Sequence, residues 1–200
     1  MLYTNPRGST GYGTEFANAI AYDYPGVDMQ DLMTGVDEAV ATGYVDEDNL
    51  FLYGCSGGGI LTTFIVGNTD RFTAASAHCA IVNWMSTMGT SDIGGYTRRF
   101  EQPFWEDPAE WIDRSSVFYV GNVTTPTMLM TGEDGLRTPI GQAEEFYQAL
   151  QHLDVPTVMV RFQDEWHGTT SRPSNFMRTQ LYLRKWFEQW GGHEVLETTP

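Results

Sequence analysis

The chain has 200 residues, 41% of them hydrophobic, which is enough for one good core and makes a single domain over residues 1–200 the expectation. Its formal net charge of −15 sets up a field that repels nucleic acid and anionic membrane, so neither is expected as a partner. Two cysteines, Cys55 and Cys79, are too few for a disulfide framework and lack metal-ligand spacing; they read as free, mostly buried thiols, and no metal or cofactor is expected.

Met1-Leu2-Tyr3-Thr4-Asn5-Pro6-Arg7 has neither the basic start nor the apolar run of a leader peptide, and no apolar run reaches the length of a membrane span. A cytoplasmic location is favoured on that ground. Asn122-Val123-Thr124 matches a glycosylation sequon and, without a leader, reads as chance. Leu2-Tyr3-Thr4 is a short β-like start that breaks at the turn formers Asn5 to Gly13. Asp28 is placed to cap a helix through about Thr42, with Met29, Leu32, Met33, Val36 and Val40 on one face and Gly43 as its left-handed stop. Leu50-Phe51-Leu52-Tyr53 then runs as a strand into Gly54-Cys55-Ser56-Gly57-Gly58-Gly59, and a helix follows to about Gly67. Strand, Gly-x-Ser-x-Gly and helix is the context of a nucleophile elbow, a strained turn that lifts the serine hydroxyl above the sheet edge.

Thr73 to Val82 reads as a strand of small residues, and Asn83 to Gly121 as an irregular, partly helical excursion above the sheet. Pro126 to Thr131 is a buried strand ending in Gly132-Glu133-Asp134-Gly135. Thr138 is placed to cap a helix that has Pro139 at its first position and runs to about His152, with Ala143, Phe146 and Leu150 inward. Pro156 to Phe162 is another strand, ending at Asp164-Glu165-Trp166-His167-Gly168. Ser174 is placed to cap the last helix, whose Phe176, Met177, Leu181, Leu183, Trp186, Phe187 and Trp190 form a broad apolar face, and residues 191–200 read as a frayed tail. Alternating strands and helices imply a mostly parallel sheet flanked by helices, an α/β fold with reactive groups at the carboxyl ends of the strands. Ser56, Asp134 and His167 all fall there, in the chain order of an α/β-hydrolase triad.

Other candidates read as structural. His78 is a packed core histidine, and His152 and His193 are surface residues at a helix end and in the tail. The Cys55 thiol points to the side opposite Ser56. Arg98 and Arg99 are surface charges that could meet a substrate carboxylate. Trp84, Trp105 and Trp111 are candidates to line an acyl pocket, while Trp186 and Trp190 read as core.

With these segments placed, the chain resembles the catalytic domain of the prolyl oligopeptidase family of serine peptidases, on its acylaminoacyl-peptidase-like branch. The resemblance rests on Asn5 to Gly13, the elbow, Trp105-Glu106-Asp107-Pro108, Thr131-Gly132 through Leu136-Arg137-Thr138-Pro139, and Glu165-Trp166-His167-Gly168. It implies Ser56 as nucleophile, His167 as general base and then acid, and the Gly57 amide as one oxyanion donor. The family's acid stands two residues before the arginine that is Arg137 here, and that position is Gly135. Asp134 lies one residue earlier, and the glycine beside it could turn it back toward His167. The chain begins at what resembles the family's fourth hydrolase strand, so the propeller, the first strands and the loop resembling His-Gly-Gly-Pro lie outside it. A strand of the family fold that separates Leu2-Tyr3-Thr4 from the elbow strand is then missing. The bare edge is expected to be covered in a homodimer or by a rearranged N-terminal segment.

The expected activity is that of a serine hydrolase working by acyl transfer on a small ester or peptide. Two alternatives stay open: a carboxylesterase without peptidase activity, and an impaired relative with a binding or assembly role.

Overall fold

A computed structural model describes residues 1–95 and 99–192. Four strands, β1 (Phe51–Cys55), β2 (Ala74–His78), β3 (Thr127–Gly132) and β4 (Thr157–Phe162), pair side by side in sequence order, all parallel. The register sets Cys55 opposite His78 and His78 opposite Met130, so the carboxyl ends of β1, β2 and β3 line up at one edge of the sheet. Each crossover carries helices: α1 (Thr14–Asn18) and α2 (Val27–Ala41) precede β1, and α3 (Gly57–Val66) joins β1 to β2. Between β2 and β3 lie α4 (Trp84–Thr90), α5 (Ala109–Asp113) and a 3₁₀ helix, Ser116–Asn122. Helix α6 (Ile140–His152) joins β3 to β4, and α7 (Pro173–Trp190) follows β4.

The two inner strands, β2 and β3, are buried at every residue, as parallel strands covered by helices on both faces must be, while the outer β1 and β4 are partly exposed. On one face Val66 of α3 and Ala143, Phe146 and Leu150 of α6 close over Ala75, Ala77 and Leu129. On the other, Trp186 of α7 packs over Ala74, Met128, Met130 and Phe162, and its indole Nε1 donates to the Ala75 carbonyl at 2.9 Å. Helix α2 lays Met29, Leu32, Met33, Val36 and Val40 against Leu50, Ile65 and Phe72, and Gly43 has the expected positive φ of 76°. Arg7 forks onto Asp31 of α2 and ties the turn-rich N-terminal loop to it.

Several local expectations are corrected. Leu2-Tyr3-Thr4 forms no strand; the segment runs beside α2, with Thr4 so close to Gly35 that a Cβ there would collide with it. No described strand lies beyond β1, so a strand at Leu2 has nothing to pair with, and β1 is the outer edge of the sheet. Helix α2 starts at Val27, and Asp28, inside its first turn, folds its carboxylate back onto the amides of Gly26 and Met29. Neither Thr138 nor Ser174 caps: Pro139 precedes α6, Arg172 precedes α7, and neither position offers a side-chain cap bond.

The apolar face of α7 divides. Leu183, Trp186, Phe187 and Trp190 meet the sheet, whereas Phe176, Met177 and Leu181 are about half exposed. At about 100° per residue, Met177 and Leu181 stand more than 100° around the helix from the packed row, and Phe176 lies two turns before it. Arg98, His193 and most of the expected frayed tail lie outside the described residues.

Candidate active site

The elbow is built by the end of β1 and the start of α3. Ser56 has φ 57° and ψ −115°, outside the regions a residue with a side chain ordinarily visits, and it is held there from both sides. Its amide donates to the His78 carbonyl at 2.9 Å, and its own carbonyl accepts from Ile60 at 2.9 Å. The turn is so tight that a Cβ on Gly54 would lie 2.2 Å from the Gly58 carbonyl oxygen, which is why the motif needs a glycine there. The Gly57 amide stands at the amino end of the ten-residue α3, where helix N–H groups lack internal partners. Tyr24 backs this corner: its hydroxyl donates to the Gly57 carbonyl at 3.0 Å, and its ring meets Trp84 edge-on.

His167 arrives from the loop after β4. Its Nε2 lies 2.8 Å from Ser56 Oγ across 111 residues of chain. Its Nδ1 lies 3.2 Å from Thr138 Oγ1. The loop is pinned from below by Glu165, a carboxylate only 1% exposed that accepts from Asn175 Nδ2 at 2.6 Å, from Ser171 Oγ at 2.7 Å and from the Ser171 amide at 3.3 Å. Burial would raise the Glu165 pKa, yet these hydrogen bonds outweigh it and hold the carboxyl below its ordinary value. The Gly168 amide donates to Cys79 Sγ at 3.4 Å, a second anchor beside the imidazole.

The structure brings Ser56 and His167 together and does not bring Asp134 to them. The Asp134 amide is spent on the Glu165 carbonyl, while its side chain is exposed and hydrogen-bonds no described residue. The neutral Thr138 hydroxyl stands at Nδ1 instead. Gly135 is buried, and a Cβ placed on it would lie 3.9 Å from the Trp166 carbonyl carbon, beside His167. The carboxylate of Asp92 is engaged by Arg137, at 2.7 Å to Nε and 3.2 Å to Nη2, and that hydrogen bond, before its field, lowers the Asp92 pKa. Thr138, Asp92 and Tyr24 escape a reading of the sequence because each acts through a segment distant in the chain, whereas the partners of Glu165 lie 6 and 10 residues away. Only Glu165, beside the histidine in Glu-x-His, carries a local hint.

His78 is a core residue as expected, 1% exposed, with Nε2 2.6 Å from Thr169 Oγ1. Trp84 and Trp111 are fully buried in a cluster with Ile60 and Phe100, and Trp105 is 64% exposed, so the three line no common pocket. Cys55 is half-buried and Cys79, just past the end of β2, is buried. Among the described residues no group of three or more His, Cys, Asp or Glu could hold a metal ion, and no helix is long and apolar enough to cross a membrane.

Residues 1–194 match the prolyl oligopeptidase family. The "uncharacterized peptidase YuxL" of Bacillus subtilis is 41% identical over 94% of this chain and 30% of its own length. The human acylamino-acid-releasing enzyme is 28% identical over 92% of this chain and 27% of its own. Among solved structures, the acylaminoacyl peptidase of Pyrococcus horikoshii superposes with a TM-score of 0.89 at 26% identity, over 98% of this chain and 33% of that one. The chain thus spans under a third of the length of these relatives, and the shared part is the α/β-hydrolase fold around the elbow. With its family model matched along nearly its whole length, the chain belongs to the prolyl oligopeptidase family.

Proposed function

We propose that the chain is a serine hydrolase acting by acyl transfer, with Ser56 as nucleophile, His167 as general base and acid, and the Gly57 amide as an oxyanion donor. The observation that carries the reading is the 2.8 Å contact between His167 Nε2 and the hydroxyl of a serine held at φ 57°. With Nδ1–H donating to Thr138 Oγ1, Nε2 keeps its lone pair for the Ser56 proton. The alkoxide attacks the substrate carbonyl, negative charge grows on oxygen near the amino end of α3, and His167 returns the proton to the leaving group. Water, deprotonated by the same Nε2, then releases the acyl group.

A threonine hydroxyl orients the imidazole but cannot offset the positive charge that develops on it, so the site favours substrates with good leaving groups. Esters should be cleaved before amides, and the peptide chemistry suggested by the relatives' names is the slower capacity. That same neutral contact favours the second reading, an impaired relative kept for binding or assembly. Labelling with a fluorophosphonate separates the two. The parent should be labelled at Ser56 and hydrolyse p-nitrophenyl acetate, and Ser56→Ala should do neither while melting within a few degrees of the parent. A folded parent that stays unlabelled refutes the hydrolase reading.

A further inference from the structure

Ser56, Cys79 and Thr169 all have a positive φ, at 57°, 51° and 49°. A residue with a side chain is strained there, a β-branched threonine above all, and it keeps that conformation only where its surroundings hold it. Ser56 and Thr169 are both hydrogen-bonded to one residue, and Cys79 directly follows that residue in the chain. The residue is His78, the last of β2 and only 1% exposed.

The backbone of His78 serves the nucleophile. Its carbonyl accepts the Ser56 amide at 2.9 Å, and a Cβ on Gly59 would lie 2.5 Å from the same oxygen, so the elbow closes directly on it. The ring serves the base. Its Nε2 lies 2.6 Å from Oγ1 of Thr169, which is fully buried and stands two residues beyond His167. The Gly168 amide donates to Cys79 Sγ at 3.4 Å, so two consecutive residues after His167 hang from two consecutive residues at the end of β2. On the far side of the ring, Nδ1 lies 3.5 Å from the Tyr53 hydroxyl. An imidazole withdrawn from water is costly unless it is hydrogen-bonded, and the rest of β2 is Ala74, Ala75, Ser76 and Ala77. An apolar side chain would fill the same space; reaching Thr169 takes a ring nitrogen.

We propose that His78 is a positioning residue for acyl transfer: its carbonyl fixes Ser56 and its imidazole fixes the loop of His167, which together set the 2.8 Å separation of His167 Nε2 from Ser56 Oγ. The proposal rests on the acyl-transfer reading above. His78 acts through the loop and takes no part in the proton transfer itself. Without its ring nitrogen the strained Thr169 loses its hold, and the His167 imidazole shifts with the loop. Misplacement of a reacting group by about 1 Å can cost roughly 10²-fold in rate. The loss falls on kcat rather than KM, because the pairing matters in the transition state.

Hydrolysis of p-nitrophenyl acetate and fluorophosphonate labelling are measured on the full chain as the parent, His78→Leu, His78→Gln, Thr169→Val and the His78→Leu/Thr169→Val double variant, each shown to be folded by circular dichroism. His78→Leu should lower kcat by about 10- to 100-fold and leave KM within about 2-fold. His78→Gln, whose side-chain amide reaches the place of Nε2, should restore most of the loss. Thr169→Val should match His78→Leu, and the double variant should be no worse than either single change, since both delete one contact. Parental kcat in a folded His78→Leu chain, a glutamine no better than leucine, or losses that multiply in the double variant each overturns the proposal. Should His78→Leu fail to fold, Thr169→Val decides: a lower kcat at unchanged KM upholds the role and a parental kcat removes it. A parent that does not label refutes the acyl-transfer reading and this role together, whereas a labelled parent matched by its variants refutes the role alone.

Discussion

Replacing Gly135 by aspartate should raise kcat for ester hydrolysis by about 10²- to 10³-fold. An orienting carboxylate contributes roughly 10⁴-fold in a Ser-His-Asp triad, about 5.4 kcal/mol at 1.36 kcal/mol per tenfold, and this sets the ceiling. Thr138 Oγ1 already holds His167 Nδ1 at 3.2 Å, and a neutral hydrogen bond is worth about 0.5–1.5 kcal/mol, so up to about a tenfold part of the ceiling is in place. The backbone permits the change, because Gly135 is not in the left-handed region. The new Cβ would lie 3.3 Å from the Gly132 carbonyl oxygen and 3.4 Å from that of Thr138, so both must yield slightly. Mild overpacking of this kind costs about 1 kcal/mol, roughly 2–4 °C in Tm for a chain of this size. The assay is steady-state hydrolysis of p-nitrophenyl acetate, with active sites counted by fluorophosphonate so that the rate is per competent serine. Asp134→Asn is the control and should change kcat by less than about 2-fold, as an exposed residue without a partner does. A folded Gly135→Asp chain with unchanged kcat would refute the argument that position 135 faces the imidazole. A ruinous Asp134→Asn would move the acid role to Asp134.

Thr138→Val removes the partner of Nδ1 and should lower kcat about 2- to 10-fold with little change in KM, matching one neutral hydrogen bond; an unchanged kcat means that the hydroxyl does not orient the ring. Glu165, held below its ordinary pKa, contributes stability that is present above the unfolded value of about 4.3 and lost as pH falls through the lower folded value. Melting temperature should therefore drop between about pH 5 and pH 3 in the parent, and less steeply in Glu165→Gln; parallel curves would show the carboxylate uncoupled from folding. Pairing of two copies along the open edge of β1 should give a mass by light scattering of twice the 22.5 kDa monomer at micromolar concentration, and a clean monomer removes that mode of covering the edge.

What the sequence disclosed and what it withheld follow a physical division. Gly-Cys-Ser-Gly-Gly-Gly is legible because its requirement is local: the close approach of Gly54 to Gly58 is enforced within five residues. His167 is legible through its position at a strand's carboxyl end, where a parallel sheet exposes reactive groups. Two of the polar residues near helix starts, Asp28 and Thr138, fail as caps for one shared reason, competition for hydrogen bonds. Asp28 turns to the amides of Gly26 and Met29, and Thr138 turns to an imidazole 29 residues away; a capping rule cannot weigh such rivals. The exposed Met177 and Leu181 show the converse limit, since apolar periodicity counts residues but not the width of the surface waiting for them.

The position of β1 at the sheet margin bears on how still the nucleophile is held. Hydrogen-bonding groups alternate sides along a strand, so the amides of Tyr53 and Cys55 point away from β2, and that of Ser56 points to the His78 carbonyl. In a deuterium-exchange experiment the outward amides should trade their protons within the earliest time points, while the Ser56 amide persists into the slow class with β2. The reactive residue thus belongs, by rate of opening, to the buried neighbour strand, and the outer half of its own strand can loosen without carrying the serine along.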